Sequence, residues 1–172
     1  CAVTGKHMLE KHDHIKWCFY ELMQYVNLRA ECEPKGLFRQ FAATLDESEG
    51  MRKREILQPD FLFDDATGAT IADLKTISFT RTNYGGQKRT VPHLAVDTRA
   101  KRVHKDYVKK AQAADRKWNN TPDGSVGPIE SRLNEFGTVT PFVFGFLGEA
   151  NKAVRETIKH MASVGSEYSW RQ

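Results

Sequence analysis

The chain lacks the features that mark several large classes of protein. Its 172 residues include only three cysteines, Cys1, Cys18 and Cys32, and no CxxC pair. This argues against a disulfide framework and a structural zinc site, and it predicts a reducing intracellular compartment, the nucleus or the cytoplasm. No apolar run reaches the length of about eighteen residues that a transmembrane helix needs, so no membrane partner is expected. The first residues contain no apolar signal region.

Nothing in the composition divides the chain. No repeat, low-complexity tract or long linker is present, so residues 1–172 are expected to form one domain with a real core. The chain begins with Cys1 rather than methionine, which suggests a piece excised from a longer polypeptide, the remainder of which would be a partner. Lys and Arg number 26 against 22 Asp and Glu, a net charge of +4. This charge fits a polyanionic partner without establishing one.

Hydrophobic periodicity predicts the order αβββαβα, an α/β layered domain with a small central sheet. In the first helix an apolar stripe recurs at three- and four-residue steps: Met8, His12, Ile15, Phe19, Leu22 and Val26. The charged segment 46–54 is predicted to be a loop or a short exposed helix. The predicted elements are a helix over 6–25, strands over 27–33, 56–63 and 70–79, a helix over 98–118, a strand over 138–147 and a helix over 150–163.

Three charges lie in segments otherwise suited to a core, within ILQPDFLFDDATGATIADLKTISF (56–79). They are Asp60, Asp73 and Lys75. If the two strands form an antiparallel hairpin around a four-residue loop at 65–68, Asp60 faces Asp73 with the Cβ atoms about 5 Å apart. Lys75 then projects from the same face as Asp73, because side chains alternate along a strand.

Two facing carboxylates destabilise a half-buried sheet unless something neutralises them. A divalent cation would do so, and carboxylate oxygens suit Mg²⁺ or Mn²⁺. The alternative is that one aspartate caps the turn and the other pairs with Lys75 or with a distant arginine. Asp64 and Asp65 already supply turn chemistry, which leaves Asp60 and Asp73 without that explanation.

Pro59-Asp60 on one strand and Asp73-Leu74-Lys75 on the next resemble the motif of the PD-(D/E)xK nuclease superfamily. The predicted elements over 6–147 are similar to that family's restriction-endonuclease-like αβββαβ core, a small mixed central sheet flanked by helices. Within the superfamily, the QPD motif followed by an acid is most similar to the restriction-like endonuclease domain of site-specific non-LTR retroelements, with Gln58 in place of the usual basic residue.

The resemblance implies metal-dependent hydrolysis of phosphodiester bonds in DNA, nicking or cutting for a mobile genetic element. It implies that Asp60, Asp73 and the backbone carbonyl of Leu74 hold one or two Mg²⁺ or Mn²⁺ ions. Lys75 would orient the attacking water and stabilise the transition state. A double-strand cut would need two active sites, and therefore a homodimer, whereas a monomer would nick.

Many members of the superfamily add an acid from the first helix or the first strand. Glu21 is the preferred candidate, and Glu31 and Glu33 are the alternatives. His12-Asp13 ahead of the two motifs also resembles viral cap-snatching RNA endonucleases, in which a helix histidine ligates manganese. His14, paired with Glu21, is the predicted ligand of this kind, against the alternative that the histidines ligate nothing.

Basic residues after the hairpin predict a surface for nucleic acid, with DNA favoured over RNA. Lys101, Lys105 and Lys109 are expected to point outward one turn apart along the helix and to contact phosphates. Tyr107 and Lys110 are secondary candidates, because in this superfamily the helix commonly borders the site. A solvated basic face is the alternative.

The segment RTNYGGQKR (81–89) is predicted to be a loop that clamps the substrate. Arg81, Lys88 and Arg89 are cationic, and Tyr84 is expected to stack on a base. The alternative is an ordinary flexible loop. Two rival functions remain open: an RNA endonuclease of the cap-snatching type, and a catalytically inactive nucleic-acid-binding module with the same fold.

Overall fold

The computed structural model describes residues 2–43, 56–65 and 68–169, and it shows a mixed α/β fold. The predicted loop or helix at 46–54 lies outside the described residues. In chain order the elements are α1 (Ala2–Tyr25), β1 (Ala30–Cys32), a 3₁₀ turn (Arg39–Phe41), β2 (Phe61–Asp65), β3 (Gly68–Thr76), the one-turn helix α2 (Arg81–Tyr84), a second 3₁₀ turn (Gly86–Arg89), α3 (His93–Asn119), α4 (Pro128–Glu135), β4 (Thr140–Phe144) and α5 (Lys152–Ser169).

The four strands form one sheet in the order β1-β2-β3-β4. The first three pair antiparallel, and β4 lies parallel to β3 after the crossover through α3 and α4. The hairpin register is the predicted one, since Phe61 pairs with Ala72 and Phe63 with Thr70. The pairing extends further toward the turn than predicted, to Asp65 and Gly68.

Helices pack on the two faces of the sheet and enclose two apolar clusters. One cluster joins α1 and α5 to the sheet, and its buried members include Phe19, Phe61 and Phe142. The other lies under α3 and α4 and includes Ile71 and Val143. Because side chains alternate along a strand, the residues of β3 divide between these clusters, and Asp73 and Lys75 fall on the side of α3.

Helix α1 follows the predicted stripe only in part. Phe19 and Val26 are buried and Ile15 is partly buried, whereas Leu22 is exposed. The side chain of Met8 lies outside the described part of the chain. None of the described helices is long and apolar enough to cross a membrane.

Helix α4 was not predicted, and a side chain on another helix explains it. The carboxylate of Asp115, near the end of α3, accepts the backbone N–H groups of Ile129 at 3.0 Å and Glu130 at 2.8 Å. These donors in the first turn have no partner within their own helix. A Cβ atom on Gly127 would lie 2.2 Å from Asp115 Cγ, so the approach requires glycine.

Candidate active site

The three charges of the hairpin gather around the backbone of one residue, Leu74 in β3. Asp60, immediately before β2, accepts the Leu74 N–H through Oδ2 at 2.7 Å. Lys75 Nζ donates to the Leu74 carbonyl at 3.2 Å and lies 2.5 Å from Asp73 Oδ2. Asp73 pairs along the backbone with Pro141 of β4. The regular pairing stops at Phe61 and Ala72, so Asp60 is not the predicted strand partner of Asp73 and instead approaches it through the side-chain bond to the Leu74 N–H.

Asp73 is buried, with 3% of its surface exposed. Tyr107 of α3 donates its hydroxyl to Asp73 Oδ1 at 2.8 Å, and the same hydroxyl lies 3.0 Å from the carbonyl oxygen of Gln58. Burial raises the pKa of Asp73 above its ordinary value, although Lys75 opposes the shift. Burial beside Asp73 also raises the pKa of Tyr107. The tyrosine therefore stays a neutral donor that orients the carboxylate.

A histidine from α1, His12, also reaches the backbone of Leu74. Its Nε2 donates to the Leu74 carbonyl at 3.1 Å and lies 3.7 Å from Asp60 Oδ2. The other ring nitrogen, Nδ1, lies 3.2 Å from Asp13 Oδ1. Contact with Asp60 raises the pKa of His12, against the opposing effect of burial. Contact with His12 lowers the pKa of Asp13.

The helix geometry contradicts the prediction that His14 and Glu21 face the site. Each residue advances about 100° around the axis, so both lie on roughly the opposite side of α1 from His12. Both are exposed, and His14 Nε2 lies 3.7 Å from Cys18 Sγ. The predicted stripe already contained His12, and this was the signal that could have identified it.

An acid from the first strand lies at the site instead of Glu21. Glu33, immediately after β1, donates its backbone N–H to the Asp60 carbonyl at 2.8 Å. Its carboxylate contacts Lys16 of α1, which is buried and also lies 3.3 Å from Asp13. Burial lowers the pKa of Lys16, but contacts with Glu33 and the nearby Asp60 raise it above its ordinary value.

Glu33 also adopts a left-handed backbone conformation with φ of 50°. This is uncommon for residues other than glycine, and such strain tends to occur at functional sites. Glu31 lies exposed within β1. Sequence reasoning missed Lys16 altogether, since its spacing of four residues from His12 was the only signal for it.

A cleft of about 260 Å³ opens between β3 and α3. Lys109 and Lys110 therefore lie beside Asp73 and Lys75, as a phosphate-binding role would require. Arg99 also reaches the cleft, where it donates to Asp106 at 2.9 Å. The lining residues are Asp73, Lys75, Arg99, Val103, Asp106, Tyr107, Lys109 and Lys110.

The other two lysines of the predicted row lie elsewhere on α3. Lys101 lines a separate cleft beside the start of α5, with Asn151 and Lys152. Lys105 is exposed on the helix surface. The three lysines thus do not form one track into the site, because residues four apart drift by about 40° around a helix at each step.

The segment 81–89 departs most from its prediction. Tyr84 is buried rather than available for stacking, because Phe79 packs on its ring with the centroids 5.3 Å apart. Its hydroxyl accepts the backbone N–H of Phe146 at 2.8 Å, and burial raises its pKa. Arg81 is exposed on α2 and Lys88 is half-buried in the second 3₁₀ turn. The side chain of Arg89 lies outside the described residues.

The fit to a metal ion depends on donor chemistry. Within residues 2–43, 56–65 and 68–169, no group of three or more His, Cys, Asp and Glu side chains is placed to hold a metal ion. The groups around Leu74 are nevertheless two carboxylates, one imidazole and one carbonyl, which are ligands that divalent cations use in proteins. In this structure these groups form hydrogen bonds and ion pairs within the protein. A bound cation would replace those contacts.

Comparisons with known proteins do not assign the chain to a family. We find no protein-family model, no curated protein and no solved structure that matches it. The resemblance to the PD-(D/E)xK superfamily therefore remains a prediction from the motif. The fold itself is a mixed α/β arrangement with a small four-stranded sheet and flanking helices.

Proposed function

We propose that this chain is a metal-dependent endonuclease that hydrolyses phosphodiester bonds, with a restriction-endonuclease-like core. The observation that carries the proposal is the convergence of Asp60, Lys75 and His12 on the backbone of Leu74, with Asp73 paired to Lys75. These groups come from α1, β3 and the residue that precedes β2. Two of them, Asp73 and Lys75, also line a cleft together with Arg99, Lys109 and Lys110. Carboxylates beside a cationic cleft suit a phosphate substrate.

Each residue has a role that its contacts support. Asp60, Asp73, the Leu74 carbonyl and His12 would hold the ion. A divalent cation held there would lower the pKa of a water molecule and offset the charge that develops on the phosphate. Lys75, beside Asp73, would orient the water and stabilise the extra negative charge of the transition state. Tyr107 keeps the Asp73 carboxylate directed at the site.

The position of His12 favours an RNA endonuclease of the cap-snatching type over a mobile-element DNA endonuclease. The resemblance to cap-snatching enzymes requires a helix histidine at the metal, and His12 reaches both Asp60 and the Leu74 carbonyl. Mg²⁺ takes oxygen ligands, whereas imidazole is a common ligand of transition metals. The expected cofactor is therefore Mn²⁺ in preference to Mg²⁺. A DNA endonuclease remains the second candidate, supported by the same carboxylates and lysine.

The test compares substrates and metals with matched aspartate variants. Labelled single-stranded RNA, single-stranded DNA, duplex DNA and branched DNA are incubated in EDTA, Mg²⁺ or Mn²⁺. Asp73→Asn should abolish cleavage, whereas Asp123→Asn should not, because the Asp123 side chain is 87% exposed and pairs with Arg116. Cleavage of RNA in Mn²⁺ by the unaltered chain supports the proposal. Cleavage of DNA alone would favour the mobile-element candidate.

A third outcome separates the inactive module from both enzymes. If no substrate is cut in any metal while both variants bind nucleic acid like the unaltered chain, the catalytic proposal fails. His12→Ala and His14→Ala form a second matched pair, since the two histidines lie on opposite sides of α1. Cleavage in Mn²⁺ should be lost in His12→Ala and retained in His14→Ala. The reverse result would remove His12 from the site.

A further inference from the structure

Two phenylalanines lie exposed side by side beyond the site. Phe79 is 61% exposed and Phe146 51%, and their ring centroids are 5.5 Å apart. Leu147, next to Phe146, is 58% exposed. Exposed apolar residues scattered singly need no explanation, but a contiguous aromatic group marks a surface that meets a ligand.

The turn that presents Phe146 is held in place by hydrogen bonds. Besides the bond from the Phe146 N–H to the Tyr84 hydroxyl, the Leu147 N–H donates to Glu149 Oε2 at 2.9 Å, and the Gly145 N–H donates to the Glu149 carbonyl at 2.7 Å. A Cβ atom on Gly145 would lie 2.2 Å from Glu149 Oε2 and 2.8 Å from the Tyr84 hydroxyl, so a larger residue there would displace the side chains that hold the turn. The aromatic ring is thus presented to solvent by an ordered turn.

The same residues tie the phenylalanine pair to the catalytic groups. Lys11, adjacent to His12, places Nζ 5.6 Å from the Phe146 ring centroid. Phe79 follows Lys75 by four residues, which is a reach of at most about 13 Å. Thr76 and Phe144 pair at the ends of β3 and β4, so both phenylalanines leave the sheet at one edge. A strand of nucleic acid crossing the site would meet them.

We infer that Phe79 and Phe146 form a stacking platform for unpaired bases of a single-stranded nucleic acid, with Lys11 beside the backbone phosphates. The inference deepens the proposed function and rests on it for the identity of the bound polymer as substrate. Every base has a face that stacks on an aromatic ring, and such contacts tolerate any sequence. Bases within a duplex have their faces covered by their neighbours, so the platform selects single strands. Tyr84 is a positioning residue that supports Phe79 with its ring and Phe146 with its hydroxyl.

Binding measured without cleavage tests the inference. A short fluorescein-labelled single-stranded RNA is titrated in EDTA and followed by fluorescence anisotropy. Phe79→Ala and Phe146→Ala should each raise Kd by about 5- to 150-fold, the effect expected for loss of one stacked base. Phe146→Trp should bind like the unaltered chain. The control is Tyr25→Ala, an aromatic residue that is 84% exposed at the far end of α1, roughly 20 Å from Lys11 along the helix.

Two further probes exclude a purely electrostatic effect. An oligomer of the same length with abasic sites, and a duplex RNA, should bind the alanine variants and the unaltered chain equally. A single-stranded DNA of the same sequence should respond as the RNA does, because stacking does not read the sugar. Unchanged Kd for the single strands in both alanine variants would overturn the inference, and so would an equal loss with the abasic oligomer.

The two proposals fail separately. If the alanine variants bind single strands normally while Asp73→Asn still abolishes Mn²⁺-dependent cleavage, the platform is wrong and the nuclease stands. If the unaltered chain never cleaves while the phenylalanine variants lose binding to single strands alone, the platform stands as a binding surface and the catalytic proposal is wrong.

Discussion

Addition of MnCl₂ to EDTA-treated protein is expected to raise its melting temperature, because the donor groups come together only in the folded chain. His12 lies in α1, Asp60 before β2 and Asp73 in β3, so the unfolded chain presents no comparable site. A ligand that binds only the folded state at a free concentration of about 100 times Kd contributes about 2.7 kcal/mol. For a chain of 172 residues each kcal/mol corresponds to about 2–4 °C. The expected rise is therefore about 5–11 °C.

Asp73→Asn should remove most of this rise. Two unit charges about 4 Å apart interact by about 4 kcal/mol at an effective dielectric constant near 20, and a divalent ion in direct contact interacts more strongly. Loss of one carboxylate charge should therefore weaken binding by at least about 100-fold. At the same Mn²⁺ concentration the ratio to Kd falls to about 1, which leaves about 0.4 kcal/mol, or roughly 1–2 °C.

Scanning calorimetry of the unaltered chain, Asp73→Asn and Asp123→Asn measures this effect. Each protein is scanned in EDTA and then in increasing Mn²⁺, so that a change in intrinsic stability is separated from a change in metal binding. Asp123→Asn should keep the full rise. An equal rise in Asp73→Asn would show that the ion binds elsewhere. No rise in the unaltered chain at any concentration would refute the metal site.

Three further predictions follow from individual contacts. Lys75→Met should lower kcat by about 100- to 1,000-fold, as loss of one transition-state donor does. The Mn²⁺-dependent rise in melting temperature should persist in this variant. Loss of that rise as well would make Lys75 a structural partner of Asp73. Tyr107→Phe should lower the free energy of unfolding in urea by about 1–3 kcal/mol, because a buried carboxylate oxygen loses its donor. A change below about 0.5 kcal/mol would contradict this, because an ordinary surface substitution has an effect of that size. Asp115→Ala should lower the free energy of unfolding by about 2–4 kcal/mol in the same assay, because the first turn of α4 loses its cap. A decrease equal to that of Asp123→Ala would show that the cap contributes nothing.

The hairpin could be predicted from the sequence because its signals are local. Two apolar segments flank a short turn rich in Asp and Gly. With a four-residue loop at 65–68, this arrangement sets which residues face each other. The register was confirmed at Phe61 and Phe63. The approach of Asp60 to the Leu74 N–H could not be predicted, because it depends on a backbone donor rather than on any pattern of side chains.

The structure places His12 rather than His14 beside Asp60, and the hydrophobic stripe already indicated this. The stripe over 6–25 placed His12 on the face toward the sheet, but the pairing of His14 with Glu21 was given more weight. Two residues of helix change direction by about 200°, so His14 lies on the opposite side of α1 from His12. A rule that a ligand must lie on the buried stripe would have selected His12, and with it Lys16.

The burial of Tyr84 and the formation of α4 could not be predicted, because both depend on contacts between distant segments. The burial of Tyr84 follows from the turn after β4, which supplies the Phe146 N–H from 62 residues further along the chain. Helix α4 depends on Asp115 in α3, as described above. The sequence of the segment 81–89 is compatible with its one tyrosine facing either the solvent or the core. Local propensity does not distinguish the two.

The charges at this site would be an inefficient way to stabilise the fold. Lys16 and Asp73 are both buried, and each is paired with a residue of opposite charge, Glu33 and Lys75 respectively. Burial of ion pairs costs desolvation free energy that the pairing only partly offsets, and apolar residues of similar volume often serve stability as well or better. Asp60 lies near both Lys16 and Asp73, and Asp73 and Lys75 line the cleft with Arg99, Lys109 and Lys110. The proposed chemistry would account for this concentration of charge, which stability alone does not require.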